Sequence, residues 1–185
     1  MINLSKQQID AAQEFATATI EALKMPNGVH SGTVVAATAR MAGTYLFRSL
    51  DLPLPGVKPG QSVLSIEANE QWPQLINIAG DALSKMRIEI DNTQAGKEIE
   101  PSHKPMLEFL ETQKKLETMY APIKNRYGFS MQEAAYSVAL ATALIINHAK
   151  KFLDPTMAFN IAVYGFVEGS KTAPEPVDIM SAKQA

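Results

Sequence analysis

Three histidines, His30, His103 and His148, are the residues of this chain whose type and placement come nearest to chemistry. Each stands where the sequence pattern starts or stops a helix. In a plain up-and-down bundle, odd helices end where even helices begin. His30 precedes a second helix, His103 precedes a fourth, and His148 lies near the end of a fifth, so parity places all three at one end. Three imidazoles with an open fourth position would make a catalytic metal site. Asp154, heading a sixth helix, falls at the same end. The structural alternative is three unrelated histidines near helix ends, with His148 favoured there by the helix dipole. The parity fails if any one connection crosses over.

Other catalytic patterns are missing. No glycine-rich arrangement offers backbone N–H groups to a phosphate, no G-x-S-x-G elbow appears, and no H-E-x-x-H pair sets two imidazoles on one helical face. Glu100-Pro101-Ser102-His103 matches E-x-x-H, but Pro101 and Pro105 oppose the regular helix that would aim both groups at one ion. No cofactor is expected.

Arg40 sits between Ala36-Ala37-Thr38-Ala39 and Met41-Ala42-Gly43. If buried, its guanidinium would need a carboxylate or several carbonyls, and it would suit an anion anchor. The expected reading is an exposed or snorkelling side chain on a narrow polar line of Thr33, Arg40, Thr44 and Arg48. Tyr45, Tyr136, Asn147 and Tyr164 are the expected polar contacts of an apolar pocket between helices two, five and six.

The elements that would position these residues are helices. Ala134 to Asn147 contains no charge, and small or apolar residues point in every direction of a 3.6-residue turn. Such a helix must be enclosed. The run is shorter than the 20 or so residues a membrane span needs. An all-α, up-and-down-like bundle of five to six helices follows, with a central apolar helix over about 130–152. Capping boxes at Ser5/Gln8 and Ser130/Glu133 and the Asp154-Pro155 start mark helix beginnings. Ser31 is the expected cap of the second helix, the third begins between Asn69 and Pro73, and the fourth opens near Pro105. Gly32, Ala36, Ala39 and Gly43 form a small-residue face that should pack closely on a neighbour. Mixed charges gather between Asp81 and Arg126, so helices three and four are expected outside and helices two, five and six in the middle. The domain spans 1–170, and 171–185 reads as a flexible tail.

The chain has 185 residues, 46% hydrophobic and 19% charged, a net charge of -2 and no cysteine. That balance gives no basic footprint for nucleic acid and no disulfide framework. The first residues lack the order of a secretory signal, and a cytoplasmic protein without membrane contact is expected. Missing motifs favour a non-enzymatic interaction or regulatory protein. The uncharged helices exceed what one bundle needs to cover, which favours a homodimer. A small-molecule binder and a three-histidine metalloenzyme are the alternatives.

Overall fold

In the computed structural model, which describes residues 3–94 and 96–176, the chain is a bundle of six α-helices. They are α1 (Lys6–Ala22), α2 (Ser31–Ser49), α3 (Ile66–Lys85), α4 (Phe109–Arg126), α5 (Met131–Ala149) and α6 (Pro155–Lys171). Two short 3-10 turns, Asn92–Gln94 and Pro101–His103, lie between α3 and α4. Among the described residues no single helix is long and apolar enough to cross a membrane.

Local chemistry explains most helix starts. Ser5 and Gln8 cap α1 reciprocally, as do Ser130 and Glu133 on α5. The hydrogen bonds that Ser130 donates hold the Glu133 carboxyl below its usual range. Asp154 accepts from Met157 N at 3.0 Å, with Pro155 next in the chain. Three starts differ from the sequence expectation. His30, not Ser31, caps α2: its Nδ1 accepts from Thr33 N at 3.2 Å, so an imidazole nitrogen does what a serine oxygen usually does. Ser65 starts α3 several residues early by accepting from Ala68 N at 3.0 Å, and the helix runs on through Pro73. On α4 the start is late, at a box formed by Glu108 and Glu111. Met106 N is spent on Thr33 Oγ1 at 3.0 Å instead of on a helical turn.

The interior is built on two helices. α5 packs against α1, α2, α3 and α6, and leaves only the stripe of Tyr136, Leu140 and Leu144 half-exposed on its middle turns. α2 is enclosed further: every residue from Gly32 to Phe47 is buried, and it meets all five other helices. Its most extensive packing is on α6, then on α5.

The expected small-residue face explains the α2–α6 contact. A Cβ on Gly43 would stand 2.6 Å from Ser170 N, one on Gly165 2.9 Å from Ala36 O, and one on Gly169 2.2 Å from Arg40 O. Gly32 turns instead to the 3-10 turn, where a Cβ would meet His103 O. The two helices touch backbone to backbone, so the conformational cost of glycine within a helix is offset by contact that no side chain would allow.

Residues 171–176, the first part of the expected tail, are held against the fold. α6 runs to Lys171, and Thr172–Pro176 lies pinned along the molecule. Gly60 N donates to Ala173 O at 2.8 Å, Ala173 N to Gln61 O at 2.9 Å and Val63 N to Lys171 O at 2.7 Å. Gln113 brackets Glu175, with Nε2 donating to its carbonyl at 3.1 Å and Oε1 accepting from its N–H at 2.9 Å. The loop from Asp51 to Gly60 thus leads into a two-segment clasp with the C-terminal strap. The remainder of the expected tail, 177–185, lies outside the described residues.

Gly43→Ala and Gly169→Ala are each expected to lower the unfolding free energy by about 1–3 kcal/mol through overpacking. Gly80→Ala on α3, where the nearest atom is Phe159 Cζ at 3.7 Å, is expected to raise it by about 0.5–1 kcal/mol. Urea denaturation of the three variants measures the contrast, and equal shifts would remove the close-contact account.

Candidate functional site

The polar line of α2 does not face water. It faces α4 and the end of α6. Arg40 is 9% exposed. Its Nε donates to Glu168 Oε2 at 2.6 Å, and Nη1 donates to Leu107 O and to Thr112 Oγ1. The expected snorkelling is therefore corrected: the guanidinium is buried, and carboxylate, carbonyl and hydroxyl from the same chain satisfy it. Two turns on, Arg48 Nη1 lies 2.9 Å from both oxygens of Glu117, and Nη2 donates to Glu175 O at 3.1 Å. Both side chains of this second pair are nearly enclosed. Helix α4 therefore buries charge, and the expectation of a wholly solvated outer face is corrected at Thr112, Gln113 and Glu117.

Tyr45 and Thr44 close the seam. Neither hydroxyl has a hydrogen-bond partner among the described residues. Burial, then the nearby Glu117 charge, pushes the Tyr45 phenol well above its usual range against the opposing pull of Arg48. The Tyr45 ring stacks on Tyr120, with centroids 6.4 Å apart. Burial raises Tyr120 too, although its hydroxyl pairs with Thr19.

The other expected pocket residues do not converge. Tyr45 is in the core, while Tyr136 donates to Gln74 and accepts from Gln132 Nε2 at 3.0 Å on the α3–α5 surface. Burial raises the Tyr136 phenol. Asn147 accepts from Lys150 Nζ at 3.0 Å, and Tyr164 is exposed on α6. Among the described residues, these four and Arg40 occupy separate surroundings rather than one common lining.

The three histidines gather loosely around the start of α2. His30 Nε2 lies 2.8 Å from Ser102 O, next to His103, and Nδ1 is taken by Thr33. His148 sits on the last turn of α5. Among the described residues no group of three or more histidine or carboxylate side chains is placed to hold a metal. The expected three-histidine centre is corrected accordingly: both ring nitrogens of His30 serve the cap and the 3-10 turn.

A groove that the sequence reading did not place lies at this end. It encloses about 460 Å³ between α1, α2 and α5. Ile20, Val34 and Ile145 form its floor, and Val29 and Phe152 stand at its rim. Asn27, Ser31 and His148 are the polar side chains of its lining. Phe152 is 78% exposed. Its turn is held by Phe152 N and Leu153 N, both donating to Ala149 O, at 2.8 and 3.0 Å. On the α1–α2 side, Met25 and Gly28 exchange two backbone hydrogen bonds around Pro26-Asn27, with Gly28 at φ 111°. A smaller cavity of about 130 Å³ lies on the other side of Val34, lined by Met25, His30 and Met106. The signal in the sequence was Phe152 itself, an aromatic between Lys151 and Leu153 just past a helix end.

Comparison with known proteins adds no relative: no family model, no curated protein and no solved structure matches this chain.

Arg48→Met leaves Glu117 buried without its cation and is expected to cost about 3–5 kcal/mol. Arg48→Met combined with Glu117→Met is expected to recover most of that loss. Chemical denaturation of the two singles and the double, read as a mutant cycle, measures it, and purely additive losses would show that the charges do not compensate each other.

Proposed function

We propose that this chain is a non-enzymatic binding protein that holds a small apolar molecule in the groove between α1, α2 and α5. One observation carries this reading: a mostly apolar groove of about 460 Å³ with a few polar side chains in its lining. Small-molecule sites have this size and composition, with apolar walls for affinity and a few polar groups for orientation. The exposed Phe152 ring above the groove fits the same reading, because a large apolar side chain left in water marks a surface that is covered in use. The buried arginines do not compete for the role, since each already has its carboxylate within the fold. A cytoplasmic location belongs to the same proposal.

A neutral fluorescent probe such as N-phenyl-1-naphthylamine tests it. The expected result is saturable emission enhancement at one site per chain. Phe152→Ala, at a side chain that contributes little to the core, is expected to weaken binding several-fold, corresponding to about 1 kcal/mol of lost apolar contact. Non-saturating emission, or a variant indistinguishable from the parent, would overturn the groove as the site.

A second reading, self-association as a homodimer with a regulatory role, is favoured by a separate observation. Leu64 and Ile66, flanking the Ser65 cap of α3, are 87% and 73% exposed. Two adjacent large aliphatic side chains in water are what a two-fold contact would cover. Light scattering is expected to report a dimer for the parent chain and a monomer for Leu64→Ser/Ile66→Ser. A parent chain that stays monomeric at high concentration would remove this reading and leave the first untouched.

A further inference from the structure

We infer that the groove takes a single-chain carboxylate, a free fatty-acid-like amphiphile, with its chain over Ile20, Val34 and Ile145 and its head beside the turn that ends α5. The inference rests on the proposed binding role of the groove and adds the sign and shape of the ligand.

The shape comes from the lining. The lining is mostly apolar and includes the polar side chains of Asn27, Ser31 and His148, so a ligand that fits it is itself apolar in one part and polar in another. A compact polar molecule would leave Ile145 and Val34 unused, and a wholly apolar one would leave Asn27, Ser31 and His148 facing it without partners, at the desolvation cost of unpaired polar groups.

The sign comes from the charges around those polar residues. None of the lining residues is acidic. Two acidic residues stand near in the chain, and both are directed elsewhere. Asp154 is engaged as the cap of α6. Glu21 lines the acidic groove between α1 and α4 with Asp10 and Glu14. The positive end of the α2 dipole and the negative end of the α5 dipole meet here and offset each other. What remains is cationic: Lys150 and Lys151 come two and three residues after His148, and both are exposed. Lys150 is held only by Asn147, a neutral partner. An anionic head placed beside the α5 end has the His148 imidazole in the groove wall and, in the turn between the groove-lining residues Ala149 and Phe152, two exposed lysines. A cationic head meets repulsion.

The concavity argues for a monomeric ligand and against a bilayer. A planar surface would reach Phe152 but not the floor below it.

Displacement of the neutral naphthylamine probe tests the inference. Decanoate, decanol and decyltrimethylammonium are compared below their aggregation concentrations, alongside phosphatidylglycerol vesicles. Decanoate is expected to displace the probe at about tenfold lower concentration than either of the other two, with the advantage shrinking in 0.5 M salt as Debye screening shortens to a few ångströms. Lys150→Ala/Lys151→Ala, on exposed side chains, is expected to abolish that advantage while leaving displacement by decanol unchanged. Equal displacement by all three overturns the carboxylate inference and keeps the groove as an apolar site. Displacement by vesicles alone overturns it in favour of a membrane surface. Failure of the probe to bind the parent chain removes the groove reading as well.

Discussion

Where α2 meets α6, three glycines bring the two backbones together with nothing larger than the Ala39 methyl at those positions. Gly165 and Gly169 lie over Ala36, Ala39 and the Arg40 carbonyl, while Gly43 lies against Gly169 and Ser170. Much of the remaining architecture depends on this contact. An α-helix has only so much perimeter, and α2 must be covered by five neighbours. Seating α6 at backbone distance covers one side with hardly any side-chain volume. The other sides are then left to the larger residues that meet α1, α4 and α5. The contact also aligns the two helices along their axes. Glu168, one residue before Gly169, is thereby brought to Arg40, whose backbone Gly169 touches, so the ion pair and the glycine contact share one register.

The seam between α2 and α4 sets a second register in a different way. Apolar faces tolerate sliding, because one aliphatic neighbour replaces another at little cost. Arg48 and Glu117 do not. A displacement of one helical turn would leave both charges enclosed and apart, and an uncompensated buried charge costs several kcal/mol. Gln113 and Arg48 extend the constraint to the C-terminal strap by holding Glu175. Three pieces of chain distant in sequence, α2, α4 and 172–176, are thus located against each other by polar contacts that have few alternative arrangements.

How much of this was legible in the sequence depends on how local the physics was. Capping boxes at Ser5/Gln8 and Ser130/Glu133 involve residues three apart, and they stand as read. The small-residue face of α2 was legible because glycine within a helix demands a close neighbour, although not which neighbour. Arg40 was misread for a tertiary reason: whether a guanidinium snorkels or is enclosed depends on Glu168, 128 residues away. The polar line Thr33, Arg40, Thr44 and Arg48 did carry a hint, since α4 places Gln113 and Glu117 among its own apolar positions. Two such lines, each interrupting an apolar face, can satisfy each other. The histidines show the opposite limit. Parity of helix ends says nothing of side-chain directions, on which coordination depends, and the cap of α2 takes the His30 ring.

The two ends of α2 are finished differently, and that difference locates the groove. At its C-terminal end the strap, the Gly60–Val63 segment and the Arg48–Glu117 pair close over the helix. At its N-terminal end the Pro101–His103 turn and Met106 pack on one flank, the short Met25–Gly28 turn crosses from α1 on the other, and α5 stops at Ala149 before the chain turns at Phe152. Leu153 folds inward and is buried, whereas Phe152 next to it is turned out. The strap and the buried Arg48–Glu117 pair thus brace one end of the bundle, while the groove lined by Phe152 lies at the other. A molecule entering the groove needs no movement of the strap and no break in the buried ion pairs. The elements that determine the fold and the surface proposed for binding are separated along a single helix, so substitutions at Phe152, Lys150 or Lys151 can alter what the groove holds without disturbing what holds the bundle together.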